Sequence, residues 1–380
     1  RPLDIRARYA PSIPLAIWSS DGPILEHRKA DIGRILLALS TDIATLRRAK
    51  SLGAHPGNAS ADLRLQLERF ARHCLALTAP IRALPTELLS EIFRHVHAPR
   101  ARRGVRPHAR DPTVALTLVC RRWRAAAAAD RQLWTRLDAS YSRAEPAHPR
   151  VARRVLAYSR GLPLDVRLWL PAHGGALAGA HAALCAHCRR WRRVDADVFR
   201  FGAFLRAHGA AGGMPLLEHL RVRNSHTEAE ELAYVLPAPR LRSLGLHSPC
   251  AFVCSAAAPW VQLVAYSGPA FVNGTCVLPL LGNVETCDLV GRVKGDELGE
   301  PVKLARLRAL RVSDAAYLRL LITPFLEICE TPDLPAVAAF LRRSSCTSLK
   351  ELRCTADDMR GLPAILSLEP ALRTLGFFLD

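Results

Sequence analysis

A short apolar unit, Leu-x-x-Leu-x-apolar, recurs through the C-terminal part of the chain and constrains its fold more than any other feature. It appears as Leu217-Glu-His-Leu220-Arg-Val222, Leu241-Arg-Ser-Leu244-Gly-Leu246 and Trp260-Val-Gln-Leu263-Val-Ala265. Further on come Val284-Glu-Thr-Cys287-Asp-Leu289, Leu307-Arg-Ala-Leu310-Arg-Val312, Leu349-Lys-Glu-Leu352-Arg-Cys354 and Leu372-Arg-Thr-Leu375-Gly-Phe377. A degenerate unit, Pro324-Phe-Leu326-Glu-Ile328, lies among them. The fourth residues, with Leu326 counted for the degenerate unit, follow one another at steps of 24, 19, 24, 23, 16, 26 and 23. Each unit reads as one short strand whose alternate residues point inward, followed by a turn or helix that returns the chain. No such unit can bury its apolar side alone, so only stacking stabilises the array.

Most of these steps fall in or near the ~20–29 residues of a leucine-rich repeat, which the region resembles. Two further segments, Leu164–Leu170 and Arg193–Phe199, read as its first rungs. Leu334–Arg343 reads as an intervening helix, with Val337, Phe340 and Leu341 at helical spacing. Asparagine is missing from the usual turn position of most units, so the repeats are divergent. An ordinary α/β domain is the alternative for residues 150–380.

The N-terminal region has helical period. Ile32, Leu36, Leu39, Ile43 and Leu46 lie on one stripe, and Leu63, Leu67, Phe70, Cys74 and Leu77 repeat the same 4, 3, 4, 3 spacing. The breaker Gly-Ala-His-Pro-Gly-Asn at 53–58 separates them, so a helical hairpin is expected within residues 1–79.

Residues 80–140 carry the most specific pattern. Pro85 suits a helix's first turn, where a missing amide hydrogen costs nothing. Leu88, Ile92 and Val96 lie at i, i+4 and i+8, with Leu89 and Phe93 on an adjacent track. The resulting apolar face is wider than one helix partner needs. A second helix presents Leu116, Val119, Cys120 and Trp123, with Arg121, Arg122 and Arg124 expected to face water. The alanine run 125–129 favours its continuation, and Trp134 and Leu137 close the segment. Between the two helices sits a basic insert, residues 98–112.

Here the chain resembles the F-box, a small helical module that docks on the adaptor subunit of SCF-type ubiquitin ligases. The match is carried by Leu84-Pro85, Glu87-Leu88-Leu89, Ile92-Phe93, Val119-Cys120, Trp123-Arg124, Leu133-Trp134 and Leu137, in order. The insert at 98–112 is longer and more basic than the family's usual link, and reads as a surface loop. The helical lead-in to Pro80-Ile-x-x-Leu-Pro85 also looks like that of F-box proteins from mushroom-forming fungi. The fold class so implied is α + α/β: a helical hairpin and a three-helix F-box, then a leucine-rich-repeat-like α/β solenoid. The resemblance implies docking on the SCF adaptor and, through it, a cullin, while the repeats hold an unknown protein substrate. The partner-binding set it implies is Leu84, Pro85, Leu88, Leu89, Ile92, Phe93, Val119, Cys120, Trp123, Trp134 and Leu137. That surface and the F-box core share these residues, and the sequence does not divide them.

Composition sharpens what is excluded. The 53 basic and 34 acidic residues give a net charge of +19, and only five of the bases are lysines. Residues 98–160 alone hold 15 arginines against four acids. Few aromatic residues interleave with these arginines, as base stacking would require, and no helix-turn-helix or zinc-finger spacing is present. An acidic protein partner or a solvated loop is therefore favoured over nucleic acid. A basic nucleic-acid-associated scaffold remains the competing class. Eleven scattered cysteines read as buried small hydrophobes in a reducing compartment, cytoplasm or nucleus. No run of 18 apolar residues suggests a membrane span, and the opening stretch lacks the compact apolar run of a secretory signal. The spacing His181-x3-Cys185-Ala-His187-Cys188 offers at most half of a zinc site and reads better as a helix between rungs, Cys185 buried and the histidines at its surface. No nucleophile elbow, Walker loop or His-Glu-x-x-His occurs, so no active site and no cofactor are assigned.

Overall fold

The computed structural model describes residues 5–11, 13–19, 23–51, 58–97, 112–140, 149–170, 178–198, 205, 207, 213–223, 238–246, 259–272, 275–293, 299–355, 362–368 and 372–378. The chain divides into two compact units, Arg1–Leu133 and Trp134–Asp380. No helix among the described residues is long and apolar enough to cross a membrane.

The first unit is helical. Two short helices, α1 (Ile5–Tyr9) and α2 (Leu15–Ser19), precede the long pair α3 (Glu26–Ser51) and α4 (Asn58–Thr78). Both expected stripes face each other: Ile32, Leu39, Ile43, Leu67, Cys74 and Leu77 are buried, with Leu36, Leu46, Leu63 and Phe70 packed around them. Trp18 of α2 lies over Phe70, ring centroids 5.3 Å apart, and closes one side of this core. Glu26 in the first turn of α3 sits at the positive end of the helix dipole and holds Lys29 at 2.6 Å. The breaker at 53–58 falls outside the described residues except for Asn58, the first residue of α4. The unit ends in α5 (Thr86–His97), α6 (Pro112–Thr117) and α7 (Arg121–Ala129).

The second unit is built on an eleven-stranded sheet. Its strands are β1 (Arg136–Ser140), β2 (Leu164–Leu170), β3 (Trp191–Val198), β4 (His219–Arg223), β5 (Ser243–Leu246), β6 (Ala265–Gly268), β7 (Thr286–Leu289), β8 (Ala309–Val312), β9 (Ile328–Thr331), β10 (Glu351–Thr355) and β11 (Thr374–Phe378). They lie side by side in chain order, and every neighbouring pair is parallel. One aligned row of residues fills the inner side: Leu137, Val166, Val194, Leu220, Leu244, Tyr266, Cys287, Leu310, Cys329 and Leu352, all buried. The chain returns through α8 (Pro149–Ser159), α9 (Ala178–Cys185), short 3-10 turns, α10 (Leu334–Ser344) and α11 (Leu362–Leu368). Val337, Phe340 and Leu341 of α10 are buried, as their spacing predicts.

Two rungs sit three residues later than the repeat spacing places them. Leu263 and Leu326 are buried ahead of their strands, where Leu217, Leu241, Leu307 and Leu349 also lie, and the inward strand residues are Tyr266 and Cys329. In both units the first leucine of the pattern is easily mistaken for the second, because the true second residue is not aliphatic. With this correction the inward residues from Leu220 to Leu375 follow at 24, 22, 21, 23, 19, 23 and 23 residues. Between consecutive turns, the Gln262 amide donates to the Ala238 carbonyl at 2.9 Å and that of Asn283 to the Val261 carbonyl at 2.7 Å. These amides tie rung to rung, a role the sequence left unassigned.

The outer side of the sheet carries a second aligned row: Arg167, Asp195, Arg221, Gly245, Ser267, Asp288, Arg311, Glu330, Arg353 and Gly376. Apart from the small residues, base and acid alternate along it. Arg167 reaches Asp195 at 3.7 Å, Arg311 reaches Glu330 at 3.0 Å, and Arg353 reaches Glu330 at 3.7 Å. Two arginines lean over glycines of the next strand, since a Cβ at Gly245 would lie 3.1 Å from Cγ of Arg221 and one at Gly376 3.3 Å from Cγ of Arg353.

Gly268 faces the inner side, and there its size is required. A Cβ would sit 2.7 Å from Oη of Tyr266 and 3.0 Å from the Leu246 carbonyl oxygen. The Tyr266 hydroxyl is itself held by donating to the Pro269 carbonyl at 2.7 Å. Gly268→Ala is therefore expected to cost about 1–3 kcal/mol through overpacking, read as a lower urea midpoint with unchanged slope. A loss below about 0.5 kcal/mol would show that the strand yields freely.

Candidate functional site

Pro80–Ala83 forms a single 3-10 turn, which Leu84 closes by donating its amide to the Ile81 carbonyl at 3.4 Å. Pro85 follows, and its carbonyl accepts the first helical bond of α5, from the Leu89 amide at 3.1 Å. Leu89 and Phe93 then point inward and are fully buried, the Phe93 ring 4.9 Å from that of Trp123 on α7. One step round the helix, Leu88, Ile92 and Val96 remain 51%, 38% and 50% exposed. The two apolar tracks of this helix thus have different fates, a division that the sequence left open.

The turn between α6 and α7 adds two more outward apolar side chains, Leu118 and Val119, 60% and 59% exposed. Cys120 follows in extended conformation and caps α7, its sulfur accepting the Trp123 amide at 3.4 Å. Its place in the pattern is thereby explained by a helix start. Leu84, Cys120 and Trp123 are half-buried, and Pro85 is exposed.

Two arginines expected to face water are also bonded to backbone, Arg122 from a half-buried position and Arg124 while remaining exposed. Arg122 of α7 donates one guanidinium nitrogen to the Arg82 carbonyl at 2.7 Å and another to the Leu84 carbonyl, gripping the Leu84-Pro85 turn from behind. Arg124 donates to the Thr117 carbonyl at 2.9 Å, closing the end of α6. Arg121 is exposed. At the far end, Arg94 of α5 pairs with the buried Asp130 at 2.7 Å. The hydrogen bond it donates to Asp130, then the charge of Asp130 and of the nearby Glu91, hold the Arg94 guanidinium above its ordinary pKa. Asp130 also accepts the Gln132 amide at 3.1 Å. Sequence reasoning missed both clamps, because a guanidinium bonded to carbonyls leaves no periodic trace.

Trp134 and Leu137 stand apart. Expected to close the segment, both fall in the second compact unit. Trp134 is fully buried with its ring 4.7 Å from that of Tyr158, and Leu137 is an inward residue of β1. Leu89, Phe93, Trp134 and Leu137 thus fill cores, and Leu84, Pro85, Leu88, Ile92, Val119, Cys120 and Trp123 keep surface.

The basic insert lies outside the described residues except for Pro112, the first residue of α6. In the cysteine-histidine segment, Cys185 ends α9 and Cys188 follows in a 3-10 turn, both buried. Burial, with a smaller effect of Cys188, pushes the Cys185 thiol up to about 12, so it stays protonated. Burial is also the first cause lowering the pKa of His187, which is half-buried rather than at the surface. Among the described residues no group of three His, Cys, Asp or Glu side chains could hold a metal ion.

Residues 81–140 match the family model described as F-box-like. No curated protein is similar enough to the chain to count as a match. F-box domains bind the adaptor subunit within SCF complexes, and F-box proteins are typically non-catalytic adaptors. The matched domain therefore points, in general terms, to the substrate-adaptor class.

Proposed function

We infer that this chain is the substrate-recognition subunit of an SCF-type ubiquitin ligase and that it works by proximity rather than by chemistry of its own. The observation that carries the reading is the outward apolar stripe Leu88, Ile92 and Val96 within the matched region, left bare although the adjacent track is sealed. A helix that shows apolar residues on both sides of its axis has a second partner to satisfy. Pro85 and Val119 extend the set of exposed apolar residues, while Leu84, Cys120 and Trp123 support it from half-buried positions. The mate is the SCF adaptor subunit, which brings the cullin with it. The chain is organised as a lead-in over 1–79, an F-box over 80–140 and a divergent leucine-rich-repeat-like solenoid over 150–380. The solenoid reading is supported by parallel strands in chain order at a near-constant step, and the outer face of that array holds a protein substrate. The helical hairpin leading into Pro80-Ile-x-x-Leu-Pro85 favours kinship with the mushroom-type F-box proteins.

Co-purification with the SCF adaptor tests the docking surface. The wild-type chain is expected to capture the adaptor, and Leu88→Glu/Ile92→Glu is expected to lose capture while its melting transition stays cooperative. Two buried-interface anchors of this kind are each worth about 2 kcal/mol or more, so the loss is about a thousandfold or greater. Failure of the wild type to bind, or full binding by the variant, overturns the assignment.

A further inference from the structure

The alternation of charge on the outer sheet face has a break. Asp165 of β2 receives three guanidinium contacts from Arg192, at 2.9 to 3.0 Å. Asp195 of β3 is shared between Arg167 at 3.7 Å and Arg223 at 3.0 Å. Neither carboxylate is left for Arg193, which is exposed and has no hydrogen-bond or ion-pair partner among the described residues. Across β2–β4 the aligned rows carry arginines 167, 193, 221 and 223, with Arg192 beside them, against Asp165, Asp195 and Asp197, with Glu218 just ahead of β4 and the charge of Asp288 acting on Arg221. The crowding is felt locally. After burial, the nearest cause depressing the His219 imidazole is Arg193, and the one depressing the Arg221 guanidinium is Arg223. On β8–β10 the same face is balanced, Arg311 and Arg353 being engaged with Glu330 and Glu351.

The excess has a shape. Arg193, His219 and Ser243 occupy one aligned row on consecutive strands, so their positions are about 4.8 Å apart. Arg221 lies one row further along and reclines over Gly245. Beyond Ser243 the face offers Ala265 and Ser267, with no bulky side chain to block an arriving backbone. Donors spread over three strands are too far apart for the oxygens of one phosphate, and they suit several carboxylates on one extended strip.

We propose that the β3–β5 corner of the outer face, centred on Arg193 with His219, Ser243 and Arg221, binds an acidic, carboxylate-rich segment of a protein partner. The inference rests on the reading of the sheet as the client-holding surface and names the chemistry of that client. It is tested on the full chain by fluorescence anisotropy with a labelled Glu/Ser peptide, its Gln/Ser counterpart and a phosphoserine version of the latter. The Glu peptide is expected to bind with an affinity that falls as salt rises, and the Gln peptide is not. Arg193→Glu/Arg221→Glu is expected to weaken binding by about tenfold or more, a loss of about 1.4 kcal/mol or greater. Arg153→Glu/Arg154→Glu, an equal charge change on the exposed side of α8, is expected to weaken it no more than about threefold. If the charge-reversed face variant does not melt cooperatively, Arg193→Gln carries the same comparison. Equal losses in face and control variants, equal binding of the Gln peptide, or clearly tighter binding of the phosphoserine peptide would each overturn the proposal. Adaptor capture, measured on the same preparations, stays intact in the face variant. Peptide binding without adaptor capture removes the ligase assignment and leaves the acidic-segment site standing, and the reverse result does the opposite.

Discussion

Phe93→Ala is expected to destabilise the helical unit by about 3–5 kcal/mol, one of the two largest losses anticipated for this chain. The Phe93 ring is fully buried and lies 4.9 Å from that of Trp123, so its removal leaves a cavity and ends an aromatic pairing of about 0.5–1.5 kcal/mol. Collapse into the space is opposed from two sides. Arg94, the next residue, is fastened to Asp130, and Arg122, next to Trp123, is fastened to the Leu84-Pro85 turn. Both ends of the module are pinned, which favours the upper part of the range. Urea unfolding followed by tryptophan fluorescence reads the change directly. Leu88→Ala, one track away and half exposed, is expected to cost less than about 1 kcal/mol. If the two substitutions cost the same, the assignment of one track to core and the other to surface is wrong.

Trp134→Ala is expected to cost a similar 3–5 kcal/mol, but in the unfolding of the sheet. Trp134 stands within the region matched to the F-box-like family, yet its indole is sealed in the second unit against Tyr158, just ahead of β1. Hydrogen exchange makes the distinction sharp. Amides of β1 and β2 are expected to lose protection in the variant, whereas those of α5 and α7 keep theirs. Loss confined to α5 and α7 would return Trp134 to the helical module. Together the two substitutions separate the parts of one motif by which unit each holds together.

Legibility in the sequence followed periodicity. The hairpin was readable because two stripes of five apolar residues repeat one spacing, and both form its core. The strands from β4 to β11 were readable for the same reason, but Leu263 and Leu326 show the limit. When the inward strand residue is Tyr266 or Cys329 rather than an aliphatic one, the pattern locks onto the leucine three residues early. β1 is not legible as a strand, since Leu137 fits the end of a helical motif equally well. The split between Leu88 and Leu89 could not be read at all: successive helix positions differ by about 100°, and which of two adjacent apolar tracks turns inward depends on where α7 lies. The roles of Arg122, Arg124 and Cys120 were invisible for a related reason. Each bonds to a backbone group, three residues on for Cys120 and brought near by folding for the two arginines, and such partners carry no residue type to search for.

The alternating row on the outer face makes parity matter. Excising the rung that carries Glu330 would set Arg311 beside Arg353, two like charges on adjacent strands, whereas excising a neighbouring pair of rungs would restore base next to acid. Where a rung is flanked by charge on both sides, gain or loss in twos is thus electrostatically silent and single steps are not, so natural variants of this platform should differ there by even numbers of strands.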